Sequence, residues 1–310
     1  MFTRILAPVD ASPDSLVGLP LARRLARATG ARLILLRIAT AADLARGATT
    51  ATLGAELRLL TTGVGATSDE AAIIRLAHQS SEIPTTIVAE ARAQAADLIV
   101  MTAHARSGLD RVCHPSVGEA VLAESLVPVL LVNAAEDTSE ATDTAAPLLL
   151  TVDGTPEGAL VVPIAAAYAQ ALGAEIALLR IVPPRLTGLN ATTVTYDQAA
   201  LDDAQHYVDR LAARLAACGV PTQGRAIFGT VAETIVAVAE QLRASVLALS
   251  THSLRGLARQ VHGSTADALL RAAPCPLLLV RREVGPLVNL PGTEQHPPID
   301  LPPNLPDSRH

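Results

Sequence analysis

The sequence contains no lysine and no tryptophan: all 24 basic residues are arginine, and aromatic residues make up only 2% of the 310. Without lysine, a lysine-based phosphate clamp and a Schiff-base mechanism are both excluded. Cysteine is almost as scarce. Cys113, Cys218 and Cys275 are scattered, odd in number and show no Cys-x-x-Cys spacing. Neither a disulfide framework nor a zinc site is expected, and the chain reads as a protein of the reducing cytoplasm. A dominant charge is missing too: 24 basic against 30 acidic residues leave a net charge of −6 and a pI near 5.7. That balance lacks the basic field of a nucleic-acid binder or of a polybasic membrane-surface protein. Long apolar runs are also absent. The opening apolar stretch stops at Asp10, too short for a signal peptide, and the longest uncharged stretch, 158–174, carries Pro163, Tyr168 and Gln170 near the lower length limit of a span. No membrane partner is expected.

What is present is small and aliphatic. Half of the residues are hydrophobic, mostly Ala, Val, Leu and Ile, which suits helices packed on buried parallel strands. At roughly 100–200 residues per domain, the length predicts two domains.

The two domains are one unit written twice. Val9-Asp10-Ala11-Ser12-Pro13 is answered by Val152-Asp153-Gly154-Thr155-Pro156, Pro20 by Pro163, and Leu35-Leu36-Arg37-Ile38 by Leu178-Leu179-Arg180-Ile181. Farther along, His104 pairs with His252, His114 with His262, Ser116 with Ser264, and Leu130-Leu131-Val132 with Leu278-Leu279-Val280. A period of about 145 residues is too long for a solenoid and indicates duplicated domains. The boundaries read as 1–133 and 148–282, with an acidic linker at 134–147 and a Pro-rich tail at 283–310 expected to be disordered.

Each copy alternates strand and helix signals. Apolar runs at 5–9 and 148–152 end at an Asp, as a buried parallel strand does where it emerges. Ser12-Pro13-Asp14 and Thr155-Pro156-Glu157 read as helix starts, Gly30 and Gly173 as helix stops, and Pro20 and Pro163 as kinks within those helices. Further strands are predicted at 33–38, 73–76, 98–101 and 129–132, and at 176–182, 225–228, 246–249 and 277–280. Helices are predicted near 53–62, 85–95 and 116–124, and at 196–218, 231–242 and 264–271. The fold class is α/β: two Rossmann-like, doubly wound domains, each with a five-stranded parallel sheet, about four helices and ligand space at the strands' C-terminal ends.

The segment from Asp97 to Leu109, Asp-Leu-Ile-Val-Met-Thr-Ala-His-Ala-Arg-Ser-Gly-Leu, closely resembles the signature of universal stress proteins. The opening strand ending in Val-Asp, the distal Gly-Ser or Pro-Ser and the closing Pro-x-Leu-Leu-Val strand match as well, over 1–133 and 148–282. The resemblance is to a tandem universal stress protein. It implies the five-stranded Rossmann-like sheet, pairing of the fifth strands between domains and, in one subclass, binding of ATP without a conventional catalytic apparatus.

That subclass carries Gly, two residues, Gly, nine residues, then Gly with Ser or Thr. Glycine lets backbone N–H groups approach a phosphate, and the final pair opens a helix whose dipole favours an anion. The matching positions of the second repeat are Ser250, Ser253, Gly263 and Ser264, so the distal half survives. In the first repeat they are Thr102, Ala105, Pro115 and Ser116; all three glycines are gone and Pro115 removes a backbone donor. By resemblance, Asp10 and Asp153 sit at the adenosine end of the pocket. The same carboxylates also suit an Asx turn before the helix, the reading favoured at Asp10 because its phosphate loop is degraded and evenly matched at Asp153, and Ser116 and Ser264 suit plain helix caps.

Other chemistry has little support. His104, His114, His252 and His262 have no zinc spacing, and Cys113 reads as an ordinary thiol. Gly-x-Gly-x-x-Gly, Gly-x-x-x-x-Gly-Lys and Gly-x-Ser-x-Gly are all missing, so no enzyme is expected. Two readings remain: a stress-response protein whose second domain holds ATP or another adenine nucleotide beside a degenerate first domain, and a nucleotide-free interaction or scaffold module acting on a protein partner. Whether the tandem unit forms a homodimer is left open.

Overall fold

The computed structural model describes residues 2–10, 12–62, 70–77, 79, 81–103, 116–133, 146–187, 193–251 and 265–281. The apolar runs become strands because helices cover both faces of the sheet. In the first repeat these are β1 (Arg4–Val9), β2 (Arg32–Ala39), β3 (Ala71–Leu76), β4 (Leu98–Ala103) and β5 (Val129–Asn133). In the second they are β6 (Leu148–Thr151), β7 (Ile176–Val182), β10 (Thr222–Phe228), β11 (Val246–Thr251) and β12 (Leu277–Arg281), with a short hairpin of β8 (Arg185–Thr187) and β9 (Thr193–Thr195) between. The helices are α1 (Leu19–Thr29), α2 (Ala41–Ala45), α3 (Thr50–Thr62), α4 (Glu82–Ala93) and α5 (Val117–Glu124), then α6 (Val162–Leu172), α7 (Gln198–Ala217), α8 (Val231–Leu242) and α9 (Thr265–Ala272). Helix α2 and the β8–β9 hairpin carry no signal in the sequence strong enough to be read there.

Both repeats order their parallel strands alike, β3-β2-β1-β4-β5 and β10-β7-β6-β11-β12, and join through β5 and β12 into one ten-stranded sheet. The fifth strands pair as the resemblance implies, and the structure adds that the joint is antiparallel, with Leu277, Leu278 and Leu279 opposite Leu131, Leu130 and Val129. Each face of the sheet has one core layer that crosses the joint: residues of α1, α6 and α7 on one side, and of α4, α5, α8 and α9 on the other. No described helix is long and apolar enough to cross a membrane.

Gly30 and Gly173 end α1 and α6 in the left-handed region, φ +69 and +68, the conformation glycine adopts without steric cost. The kinks expected at Pro20 and Pro163 do not occur. Each proline lies in the first turn of its helix, where a missing N–H leaves no broken bond. The Ser12 signal caps a 3-10 turn at Pro13–Leu16, and Thr155 opens a short loop leading into another at Gly158–Val161, ahead of the α-helices themselves. Ser12 Oγ accepts from the Ser15 N–H at 3.2 Å, and Thr155 Oγ1 from the Gly158 N–H at 2.9 Å.

Candidate functional site

The strand order reverses between β1 and β4, so the connections leaving those strands diverge and open a crevice at their C-terminal ends. In the first repeat a cavity of about 470 Å³ lies there. Its floor is formed by the ends of β1, β2 and β4, through residues such as Val9, Ile38 and Met101, and its side by Ile83 and Ile87 of α4. Asp10, Arg37, Thr40, Thr102 and Ser116 provide polar atoms around this apolar box. The two first-repeat residues singled out by sequence, Asp10 and Ser116, therefore share one cavity wall system although they are far apart in the chain.

Asp10 immediately follows β1, and its Oδ1 accepts from the Ser12 N–H at 2.7 Å and the Ser12 hydroxyl at 2.6 Å. Asp153 repeats the arrangement with Thr155, at 2.8 and 2.7 Å. In both repeats the carboxylate thus closes an Asx-type turn. Ser116 caps α5: its hydroxyl accepts from the Glu119 N–H at 3.2 Å, while the Ser116 N–H donates to Glu119 Oε2 at 2.8 Å. This reciprocal capping box occupies two of the groups at the helix start and places a carboxylate there.

Thr102 aligns with the first glycine of the nucleotide-binding pattern, and its side chain is built into the loop. Its Oγ1 accepts from the Gly18 N–H at 3.1 Å and donates to the Ser15 carbonyl at 3.3 Å. Its counterpart Ser250 lies one residue before the end of β11, and both the Ser250 and Thr251 hydroxyls are buried without a hydrogen-bond partner among the described residues. Ser253, Gly263 and Ser264 lie outside the described residues, as do His104, His114, His252, His262 and Cys113. Among the described residues, no group of three or more His, Cys, Asp or Glu could hold a metal ion.

Sequence reasoning missed Arg37, Thr40 and the α4 wall. Arg37 is buried, with Nη1 donating to the Ile38 carbonyl at 2.6 Å and Nη2 to both oxygens of Asp43 at 3.3 Å. Asp43 also accepts from the Thr40 N–H and hydroxyl at 2.8 and 3.0 Å and from Arg46 at 2.6 Å. Burial acts to raise the Asp43 pKa, but the Thr40 bonds and the Arg37 and Arg46 charges outweigh it and hold the carboxyl below its ordinary range. The signal that could have found this cluster is the charged residue at the same place in an otherwise aliphatic strand of both repeats, Arg37 and Arg180.

The same architecture occurs in solved proteins. A universal stress protein from Archaeoglobus fulgidus DSM 4304 matches with a TM-score of 0.61 at 16% identity, over 90% of this chain and 96% of its own. A functionally unknown protein from Pseudomonas aeruginosa PAO1 matches with a TM-score of 0.60 at 22% identity, over 90% of this chain and 92% of its own. A universal stress protein in complex with cAMP overlaps 43% of this chain and 98% of its own, at 22% identity and a TM-score of 0.35. At such identities the first two likenesses show the fold. No curated protein matches the chain. Family membership comes from the sequence pattern itself, which fits once over residues 1–133 and again over 146–281: the chain belongs to the universal stress protein family, in tandem.

Proposed function

We propose that this universal stress protein serves a stress-response or regulatory role in the cytoplasm by binding an adenine nucleotide without turning it over. The observation that carries this reading is the first-repeat cavity, about 470 Å³ at the sheet's switch point, with Asp10 and Ser116 on its walls. Its size falls within the range of small-molecule pockets, which are mostly apolar with a few placed polar groups. A purine would stack against Ile38, Ile83 and Met101, and ribose hydroxyls would donate to Asp10. The polar wall residues make hydrogen bonds to neighbouring parts of the chain, which suits holding a ligand rather than moving protons.

The second repeat offers a companion site in the same proposal. Asp153 is held as Asp10 is, and the Ser250 hydroxyl, without a partner among the described residues, lies one residue before the end of β11, as a donor for a ligand oxygen would. One observation favours the nucleotide-free interaction module: Glu119 brings negative charge to the start of α5, where a phosphate would lie.

The deciding experiment is to release and identify any nucleotide from protein purified without added ligand, then to titrate ATP, AMP and adenosine by calorimetry. Asp10→Ala and Ile87→Trp, which fills the cavity, are expected to weaken first-repeat binding by about tenfold or more. No released nucleotide and no response to millimolar ATP would leave the interaction module as the function.

A further inference from the structure

Arg37 and Arg180 occupy the same place in the two repeats, yet among the described residues only Arg37 of the two has an ion pair. Arg37 is bound to the buried Asp43. Arg180 has no ion pair among the described residues. It is held by packing instead. Its guanidinium carbon lies 5.2 Å from the centroid of the Tyr207 ring, a cation–π distance. On another side it lies against Gly154, at φ +87, where a Cβ would come within 2.5 Å of Arg180 Cζ. A turn that needs glycine and an aromatic face thus fix a half-buried, charged fork.

Helix α7 adds two more cations at the same ring. Tyr207, Arg210, Leu211 and Arg214 follow one helical stripe and line a cavity of about 210 Å³. Arg210 and Arg214 are exposed, and neither forms an ion pair among the described residues. Like charges four residues apart repel in an isolated helix, so the stripe is unfavourable until a counter-charge arrives. The carboxylate that acts on Tyr207 is Asp153, which already accepts from Thr155. Burial, aided by Asp153, raises the phenol's pKa against the pull of the three arginines, so the Tyr207 hydroxyl keeps its proton and remains a donor.

We propose that Arg180, Tyr207, Arg210 and Arg214 form an anion-binding site of the second repeat for an oxyanion of the phosphate-monoester class. Guanidinium groups match the oxygens of a phosphate with paired N–H donors, and an immobilised Arg180 loses little freedom on binding. The site is separate from the first-repeat cavity and does not depend on nucleotide binding there.

The test uses the full chain titrated with inorganic phosphate and, separately, with glycerol 3-phosphate, a monoester without a base, against sodium chloride of equal ionic strength. Calorimetry provides one readout. Tyrosine fluorescence, undisturbed by tryptophan, provides another. Saturable binding of both anions is expected, weakened about tenfold or more in R210A/R214A. Alanine suits both exposed helical positions, so circular dichroism of this variant should match the parent. R180Q should show the same loss. A phosphate response no larger than that to chloride, or one undiminished in R210A/R214A, would overturn the proposal whatever the fate of the first-repeat cavity.

Discussion

Leu130 of β5 and Leu278 of β12 stand opposite each other across the antiparallel joint, and both are fully buried. Each strand would otherwise be the exposed edge of its own sheet, an invitation to aggregate. Their pairing removes both edges and lets the two core layers run through the whole chain.

Shortening the joint residue should therefore destabilise both repeats together. Leu278→Ala is expected to cost about 2–5 kcal/mol, the usual range for a buried leucine. Thermal unfolding followed by circular dichroism should show one lowered transition. Two separate transitions would mean that the joint does not couple the repeats.

Arg23 of α1 is fully buried and makes two bonds to Glu70, Nε to Oε1 at 2.6 Å and Nη2 to Oε2 at 2.7 Å. Removing Glu70 takes both of these bonds away from a fully buried guanidinium. Glu70→Ala should cost about 3–5 kcal/mol, whereas the double change Arg23→Met with Glu70→Leu should recover most of it, because an apolar pair has no desolvation penalty. Urea unfolding of the three proteins distinguishes these outcomes.

Acid should weaken the first repeat through Asp43. Its folded pKa lies below the unfolded value, so its stabilisation is complete above an unfolded pKa of about 3.9 and is lost as pH falls through the lower folded value. Asp43→Asn should lower the melting temperature at neutral pH and flatten its dependence below about pH 4. Parallel slopes for variant and parent in that acid range would refute the assignment.

The outer strand β10 is guarded by one side chain. Gln205 Nε2 donates to the Gly224 carbonyl at 3.3 Å, and the Ala226 N–H donates to Gln205 Oε1 at 2.7 Å. The amide thus occupies backbone groups that a further strand would use. Gln205→Ala, at a partly exposed helix position, should barely change the melting temperature but should raise self-association, seen by sedimentation velocity at increasing concentration.

Much of this molecule is legible in its sequence. The duplicated Val-Asp, Leu-Leu-Arg-Ile and Leu-Leu-Val segments mark matching strands, and β5 and β12 pair as expected. These features are local: a short apolar run between turn residues has few other uses. The prolines depart from the local pattern for a related reason. Pro20 and Pro163 look internal only if the helices begin at Ser12 and Thr155, and the 3-10 turns move that start forward.

The site was legible only in part, because its parts come from segments distant in the chain. Composition and spacing alone establish the repeat, the aliphatic α/β construction and the absence of lysine chemistry. Asp10 and Ser116 can be named from a pattern, but nothing local shows that Ile83, Ile87 and Met101 close a box around them. Nor does any pattern separate Arg37 from Arg180, identical residues in near-identical strands. Their difference depends on which neighbours folding delivers: the Asp43 carboxylate to one, and the Tyr207 ring to the other. Periodicity in the chain is a property of neighbours along it, whereas the charge balance of a guanidinium depends on groups brought within a few ångströms by packing.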